Sequence, residues 1–596
     1  MSSIQHFDYA IAIGGAAGQG IATPGNMLSK IFIRRGLCLN AYNAFQSIIR
    51  GGHIFLTMRV SDREIASHGD KIDLLLCLNQ DTMNRHLGLM RPGTHVLFNS
   101  DSIKPGDGGE GIHLCPLPIK ELTNQNRNKL VQNTVALGAM MNLTGLEFGL
   151  LEEALNQQFG RKGQGVVDEN VTVARAGYEH AASNFSRLET EMPSGPKPLA
   201  VWTGNEALGM GGAAAGVKFY CAYPMSPSTG VLHWMAKNAR ELGIMVRQVE
   251  DEIAVSNMVI GAAHAGCRSM CATSGGGFAL MTEAVGAASM MEIPVVYINV
   301  QRAGPSTGVP TKTEQGDLWQ LLGASQGDFE RLIAAPVDAL DAFNTVPEMF
   351  NLVDHYQCPG LIVTDVLISE GTFSVDPDAI DMHPTIDRGK LISDPNHDPE
   401  FEYHRYKNTD DGISERALPG LEGHTHVVAT DEHDEDSVLL SDEFTNPIKR
   451  RMMVEKRARK FTDVLERVPA PALEGPADAE VTLVGWGSTK GVIAEAIVQL
   501  AESGITANQL AVKWIVPFHA DVVNEILSRA NKTIMVENNY SGQFARYLRS
   551  ETGFTVDSSI RKYDGEPFMP HHVADGVREL LAGDAKIYVP DQEVMV

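Results

Sequence analysis

The sequence predicts an α/β protein built from three separate α/β units. Three observations carry this expectation. Apolar strand-like runs alternate with helical patterns over most of the chain, as βα units do. Three stretches open with a hydrophobic strand followed by a glycine- or serine-rich turn and a helix: "YAIAIGGAAGQG", "FYCAYPMSPSTG" and "VTLVGWGSTK". At 596 residues the chain is also too long for one hydrophobic core and suits roughly three or four domains. The composition shifts divide it into units at 1–185, 199–385 and 476–596, with a linker at 186–198 and a long connection at 386–475.

In the first unit, "YAIAIG" reads as a strand, "GAAGQG" as a turn and "IATPGNMLSKIFIRRG" as a helix. Further strands follow at "LCLNAYNA", "HIFLTMRV", "IDLLLCLN" and "HVLFNS". The polar, proline-rich "LETEMPSGPKPLA" reads as a linker. The second unit has strands at "GVKFYCAYP", "MVRQVE", "SMCATS" and "PVVYINVQ", and the prolines and hydroxyls of "AYPMSPSTG" read as a strand-to-helix turn in which Ser228 or Thr229 caps the next helix. The acidic segment "SDPNHDPEFEYHRYKNTDDGISERALPG" and its continuation lack periodicity and read as an extended connection. The basic helix "KRRMMVEKRARKF" reads as a packing or solvated face. The last unit repeats the α/β order with "EVTLVGWG", "GVIAEAIVQLAESG", "KTIMVENNYSGQFARYLR" and "VADGVRELLAG".

Hydrophobic residues make up 43% and charged residues 21%, ordinary values for a globular chain. The formal charge of −25 argues against a nucleic-acid surface. The N-terminus lacks a signal-peptide pattern and no apolar run reaches bilayer length, so the expectation is a cytoplasmic protein with no membrane partner. Seven cysteines are scattered without any Cys-x-x-Cys pair. Cys267 and Cys271, four apart on an expected helix, read as core rather than as metal ligands, and no metal site is expected in this chain.

"GGAAGQG" at Gly14 to Gly20 fits neither the dinucleotide fingerprint nor a nucleotide P-loop, although its backbone N–H groups suit some phosphate-bearing ligand. "GDGG" at Gly106 to Gly109 lacks a preceding strand and reads as a turn. "CATSGGGFALMTEAVG" leaves bare backbone at a strand-to-helix turn, where a flat ring can approach closely. Upstream, "QVEDEIAVSNMVIGAA" sets Glu252 at the head of an apolar helix, where a buried carboxylate needs a partner that shares a proton. Downstream, Arg302 ends a strand beside the Gly/Pro/Ser/Thr loop "AGPSTGVPT", a setting for two-pronged carboxylate binding.

Taken in order, "YPMSPSTG", "EDEIAVSNMVIGAAHAGCRSMCATSGGGFALMTEAVG", "QRAGPSTGVPTKTEQGDLWQ" and "VENNYSGQFARYLR" resemble the alpha subunit of 2-oxoacid:ferredoxin oxidoreductases. "GAAGQG" with "SIIRGGH" (Ser47 to His53) resembles that family's gamma domain, fused here ahead of the alpha portion. The layout looks most like the 2-oxoglutarate branch. The resemblance implies three domains: a gamma-type domain, a thiamine-diphosphate pyrimidine-binding domain and a transketolase C-terminal-like domain.

It also implies site residues. Glu252 falls on the family's pyrimidine-activating glutamate, Arg302 on its carboxylate-binding arginine and Thr311 on its loop threonine. Ser226 stands where the family turn carries threonine, keeping the hydroxyl but not the methyl. Tyr223, Pro224, Thr273, Ser274, Gly275, Gly276 and Phe278 are the expected cofactor-binding positions, and Gly18, Gly20 and Arg50 the expected coenzyme A positions. Ala17 departs from the glycine usual in the gamma motif. The implied cofactor is thiamine diphosphate shared with a beta subunit that carries Mg2+ and a [4Fe–4S] cluster. Coenzyme A and a 2-oxoacid are the implied substrates and ferredoxin the electron partner, in a dimer of alpha–beta heterodimers. The implied reaction yields succinyl-CoA and carbon dioxide from 2-oxoglutarate and, run in reverse, fixes carbon as in a reductive TCA cycle. Pyruvate or branched-chain specificity is the nearest alternative, and a non-catalytic binding subunit the alternative of another class. An NAD-dependent dehydrogenase would need the dinucleotide fingerprint, and a transketolase-type enzyme a diphosphate motif in this chain.

Overall fold

The computed structural model describes residues 6–45, 51–106, 109–124, 129–189, 192–440 and 446–591. Its strands in chain order are β1 (Asp8–Ala17), β2 (Cys38–Ala44), β3 (Gly51–Ser61), β4 (Ile72–Cys77), β5 (Met90–Asn99), β6 (His113–Leu117) and β7 (Ala200–Thr203). There follow β8 (Val217–Ala222), β9 (Met245–Gln248), β10 (Arg268–Thr273), β11 (Val295–Gln301), β12 (Leu332–Ala334), β13 (Pro359–Asp365) and β14 (Thr372–Val375). The remainder are β15 (Leu391–Ile392), β16 (Arg416–Ala417), β17 (Leu473–Glu474), β18 (Val481–Trp486), β19 (Ala507–Val512), β20 (Trp514–Val516), β21 (Thr533–Glu537), β22 (Ser558–Arg561) and β23 (Ile587–Tyr588).

They form three large sheets, in the orders β6-β5-β4-β1-β3-β2-β14-β7, β20-β12-β13-β11-β10-β8-β9 and β17-β19-β18-β21-β22-β23. The α/β architecture is the one expected, but the sheets trade strands across the expected boundaries. β14 pairs antiparallel with both β2 and β7, setting Phe373 opposite Asn40 on one side and Trp202 on the other. The linker at 186–198 therefore does not separate two sheets. β20 leaves the C-terminal unit to pair antiparallel with β12.

Buried on both faces, the parallel strands read as continuous apolar runs, and every residue of β11 (VVYINVQ) and of β10 (RSMCAT) is buried. Cys271 lies in β10 and Cys267 just before it, so the helix expected to carry both is absent, because the small-residue helix that precedes them ends at His264. The glycine motif of the first unit also differs from its reading. β1 continues through Gly14 and Gly15, which pair with Phe55 and Ile54, and the turn begins only after Ala17. A Cβ on Gly14 would lie 2.4 Å from the Thr82 methyl, so this glycine serves close packing within a strand.

The connection at 386–475 is extended but tightly attached. The Arg405 guanidinium donates to the Glu292 carbonyl at 2.7 Å, and from the basic helix Pro447–Arg459 the buried Lys456 ammonium meets the buried Glu292 carboxylate at 2.7 Å. Lys460 adds a contact at 2.6 Å, and these cations hold the Glu292 carboxyl well below its ordinary range despite burial. The basic helix is thus a packing face, as its setting in an acidic chain suggested. No helix among the described residues is long and apolar enough to cross a membrane.

Candidate active site

Strands β8, β10 and β11 lie side by side and parallel, so the loops leaving their carboxyl ends share one edge of the sheet. The first loop, Tyr223 to Ser228, has three successive carbonyls held by three different side chains. Met225 O accepts from the Ser228 hydroxyl at 2.8 Å, Ser226 O from Arg302 Nη1 at 2.7 Å and Pro227 O from Asn205 Nδ2 at 2.9 Å. With its hydroxyl turned back in this way, Ser228 occupies the cap position of helix Thr229–Leu242 but makes no side-chain capping bond, contrary to expectation. Tyr223 and Ser226 are half-buried and Pro224 is exposed.

After β10 there is no loop at all, because Gly275, Gly276 and Gly277 are the first turn of helix Gly275–Met290. Two of the three are required by packing. A Cβ on Gly275 would lie 2.4 Å from Asp317 Oδ2, and one on Gly277 would lie 2.1 Å from Thr273 Oγ1 and 2.7 Å from Glu252 Oε1. Gly276 is exposed and nearly free of neighbours. The helix opens without a side-chain cap, and the buried Ser274 hydroxyl has no partner. Phe278 is fully buried against the edge of Tyr297, with ring centroids 6.4 Å apart. It presents no surface to a ligand, so its expected cofactor contact is replaced by a core role.

Glu252 is the first residue of helix Glu252–His264. Asp251 does the capping, accepting from the Ala254 N–H at 2.6 Å, which leaves Glu252 free of that duty. Glu252 is 4% exposed, and its Oε1 is buried without a hydrogen-bond partner among the described residues. Buried acceptors in folded proteins are rarely left so, and an orphan carboxylate oxygen marks a place where a donor belongs.

Arg302 follows β11. Its Nη1 is taken by Ser226 O, its buried Nε has no partner, and it makes no ion pair among the described residues. Burial pushes its pKa down, opposed by the charge of Asp317. Because Nη1 lies on the Cδ side of the guanidinium, the Nε–Nη2 edge that grips a carboxylate side-on is left without a hydrogen-bond partner among the described residues, with Nε itself buried. The loop beyond is closed by Ala303 N to Lys312 O at 3.0 Å and Val309 N to Ala303 O at 2.9 Å, with Thr311 buried on it. The C-terminal unit clamps this loop. Gln315 exchanges bonds with Asn538 at 2.6 and 3.0 Å, Asn539 Nδ2 donates to Gln315 O at 3.1 Å, and Lys312 is ion-paired with Glu566. The motif "VENNYSGQF" therefore serves the site by holding its third loop.

A cavity of about 270 Å³ opens where the N-terminal unit meets Lys312 and the C-terminal unit, lined by His53, His68, His86, Lys562 and Glu566 among others. His53 and His86 face each other at 3.2 Å, and burial pushes each imidazole down to about 4. A smaller cavity of about 180 Å³ lies at the β1 turn, lined by Gln19, Cys77, Asn99 and Asn133. There Gly18 and Gly20 take positive φ of 87° and 82°. Arg50 lies outside the described residues. Among those described, no group of three or more His, Cys, Asp or Glu side chains could hold a metal ion.

Comparison with known proteins fits this geometry. Residues 211–446 match the family described as pyruvate flavodoxin/ferredoxin oxidoreductase, thiamine diP-binding. Residues 10–180 match pyruvate ferredoxin/flavodoxin oxidoreductase, and 479–573 match pyruvate:ferredoxin oxidoreductase core domain II. The chain is 32% identical to 2-oxoacid:ferredoxin oxidoreductase 2, subunit alpha, of Aeropyrum pernix, over 98% of this chain and 99% of that one. The chain belongs to the 2-oxoacid:ferredoxin oxidoreductase alpha subunits. Another such relative, the 2-oxoglutarate oxidoreductase subunit KorA of Mycobacterium tuberculosis, is 29% identical over 88% of this chain and 83% of its own. A solved 2-oxoglutarate:ferredoxin oxidoreductase from Magnetococcus marinus, with 2-oxoglutarate, coenzyme A and succinyl-CoA bound, superposes with a TM-score of 0.89 at 30% identity, covering 96% of this chain and 99% of that one. The alpha-subunit family thus accounts for all three sheets and for the thiamine-binding unit in the middle.

Proposed function

We propose that this chain is the alpha half, with a fused gamma-type unit, of a 2-oxoglutarate:ferredoxin oxidoreductase. It converts 2-oxoglutarate, coenzyme A and oxidised ferredoxin to succinyl-CoA, carbon dioxide and reduced ferredoxin, or the reverse. The observation that carries the reading is the orphan oxygen of buried Glu252, packed against Gly277 at the head of the helix whose neighbouring glycine, Gly276, is exposed. These residues fit an aminopyrimidine ring: the Glu252 carboxyl would share a proton with N1′, and the exposed Gly276 would let the ring approach. Bound thiamine diphosphate supplies an electron sink for loss of carbon dioxide from a 2-oxoacid.

The other residues act on the substrate. Arg302 receives the C1 carboxylate on its unpartnered Nε–Nη2 edge. Its Nη1 bond to Ser226 O sets the Ser226 turn at the distance of that fork, and Ser226 and Thr311 supply hydroxyls. Coenzyme A has two candidate cavities. The larger is favoured because Lys312, next to Thr311, lines it; the smaller, lined by Gln19 between Gly18 and Gly20, is the alternative.

A beta subunit supplies the magnesium and the [4Fe–4S] cluster. Ile253, Leu280, Val309 and Trp319, on the elements that bear the site, are 43 to 53% exposed, a fitting surface for that subunit. The Magnetococcus and Mycobacterium relatives favour 2-oxoglutarate as substrate, and the pyruvate-named family models keep pyruvate as the second reading. The test is ferredoxin reduction by the chain co-expressed with its beta subunit, across a panel of 2-oxoacids. A kcat/KM highest for 2-oxoglutarate and strictly dependent on coenzyme A supports the reading; a preference for pyruvate replaces it.

A further inference from the structure

Of the three side chains that hold the Met225–Pro227 carbonyls, Ser228 belongs to the turn itself and Arg302 to the substrate site. The third, Asn205, comes from a separate part of the fold. It is the second residue of helix Gly204–Ala214, whose start is set by a capping box between Thr203 and Glu206. Asn205 Nδ2 donates to Pro227 O at 2.9 Å and to Glu370 Oε1 at 3.0 Å. Glu370 ends the short helix Val366–Glu370, and burial pushes its carboxyl up to about 7.

The packing around this pair admits no slack. A Cβ on Gly230, in the first turn after the site loop, would lie 2.6 Å from Asn205 Nδ2, and one on Gly204 would lie 2.2 Å from the Ile368 carbonyl. Glycines at both contacts let three helix ends close onto one amide. Asn205 is itself 1% exposed, and its Oδ1 is buried with no partner among the described residues. An apolar residue of similar size would fill the space without that orphan acceptor, so the asparagine is there for its donor.

We propose that Asn205 and Glu370 are a positioning pair: by fixing Pro227 O they hold the Ser226 turn in register with the unpartnered Nε–Nη2 edge of Arg302. The inference rests on the 2-oxoacid reading for its kinetic consequence but not for its structural one. Asn205 touches no substrate. Loss of its donor removes the last of the turn's three carbonyl anchors, so the Ser226 carbonyl is left to shift against Arg302.

The experiment uses the holoenzyme with Asn205→Leu, Asn205→Ala, Glu370→Leu and Glu370→Gln. Both Asn205 variants should lose roughly tenfold or more in kcat/KM for the 2-oxoacid, with KM for coenzyme A held within about twofold. Hydrogen exchange of the backbone amides between Met225 and Gly230 should rise by roughly tenfold, while helices distant from the turn keep wild-type protection. Glu370→Gln keeps an acceptor carbonyl and should match wild type in both readouts, whereas Glu370→Leu should not. The Asn205→Leu/Glu370→Leu double variant should be no worse than the worse single, as for a pair acting as one unit. If the leucine variants fail to fold, Asn205→Ala against Glu370→Gln gives the same contrast. Wild-type exchange at Met225–Gly230 in the Asn205 variants overturns the proposal, as does a uniform rise over the whole chain. A wild-type holoenzyme without 2-oxoacid turnover would overturn the functional reading instead, and the exchange measurement would still decide the positioning pair.

Discussion

Replacing Arg302 separates binding from structure, because its guanidinium does both jobs with different nitrogens. Nη1 anchors the Ser226 carbonyl at 2.7 Å, while Nε is buried and unpartnered. In Arg302→Ala a substrate carboxylate entering the site finds no counter-charge, a loss typically of ~2 to 5 kcal/mol for a truncated buried pair. At about 1.4 kcal/mol per tenfold, that is roughly a 30- to 4,000-fold fall in kcat/KM for the 2-oxoacid. The lost charge-assisted bond to Ser226 O adds about 1.5 to 3 kcal/mol of destabilisation. Arg302→Lys keeps the charge but cannot offer the fork and the anchor together, so it should still lose roughly tenfold or more. Thiamine diphosphate affinity should change little in either variant. The assay is a 2-oxoacid saturation curve on the holoenzyme, beside thermal melting and a cofactor titration. If Arg302 merely braced its loop, melting would fall and the saturation curve would not move. That pattern in both variants removes Arg302 from the substrate site.

Two other perturbations probe the site from different sides. In Gly277→Ala the new methyl meets Thr273 Oγ1 and Glu252 Oε1 at distances no real contact allows. A displacement of Glu252 by a fraction of an ångström to 1 Å should cost on the order of 10²-fold in turnover, read by steady-state kinetics; a near-wild-type rate would show that the Glu252 position is not critical. Glu370 is held up at about 7 by burial, so its protonated form is favoured by folding, and the stability it contributes is full below about pH 4.5 and lost as pH rises through 7. Glu370→Gln should therefore raise the melting temperature at pH 8 and leave it unchanged at pH 4.5, and a gain independent of pH would contradict the assignment.

How much of this was legible in the sequence differs by element. The turn at Ser226, the helix head at Glu252, the triple glycine and the strand end at Arg302 all sit where an apolar run meets punctuation. Each of those borders is a local event that a sequence displays. Gly15 misled for the same reason: glycine inside a strand looks like a turn until the side chains of Gln19 and Leu78 are seen pressing on it. Phe278 follows the glycines in sequence but is turned into the core by the helix they begin. The exchange of β7, β14 and β20 between sheets was not legible, since strand pairing over such separations depends on tertiary packing rather than on any local pattern. Asn205, Asp317 and Glu370 were missed likewise. The only local signal near Asn205 is the Thr203–Glu206 capping box, which announces a helix start and says nothing of Pro227.

The central claim is that the orphan carboxylate of Glu252 has an aminopyrimidine nitrogen as its missing partner. It is tested most directly by the rate at which the C2 proton of thiamine diphosphate bound to the holoenzyme exchanges with deuterated solvent, measured by acid quench and NMR in wild type and Glu252→Gln. An amide is isosteric but cannot share the proton, so exchange should slow by ~10² to 10⁴ while the cofactor remains bound and the melting temperature stays close to wild type. Equal exchange rates with cofactor bound in both proteins would contradict the account.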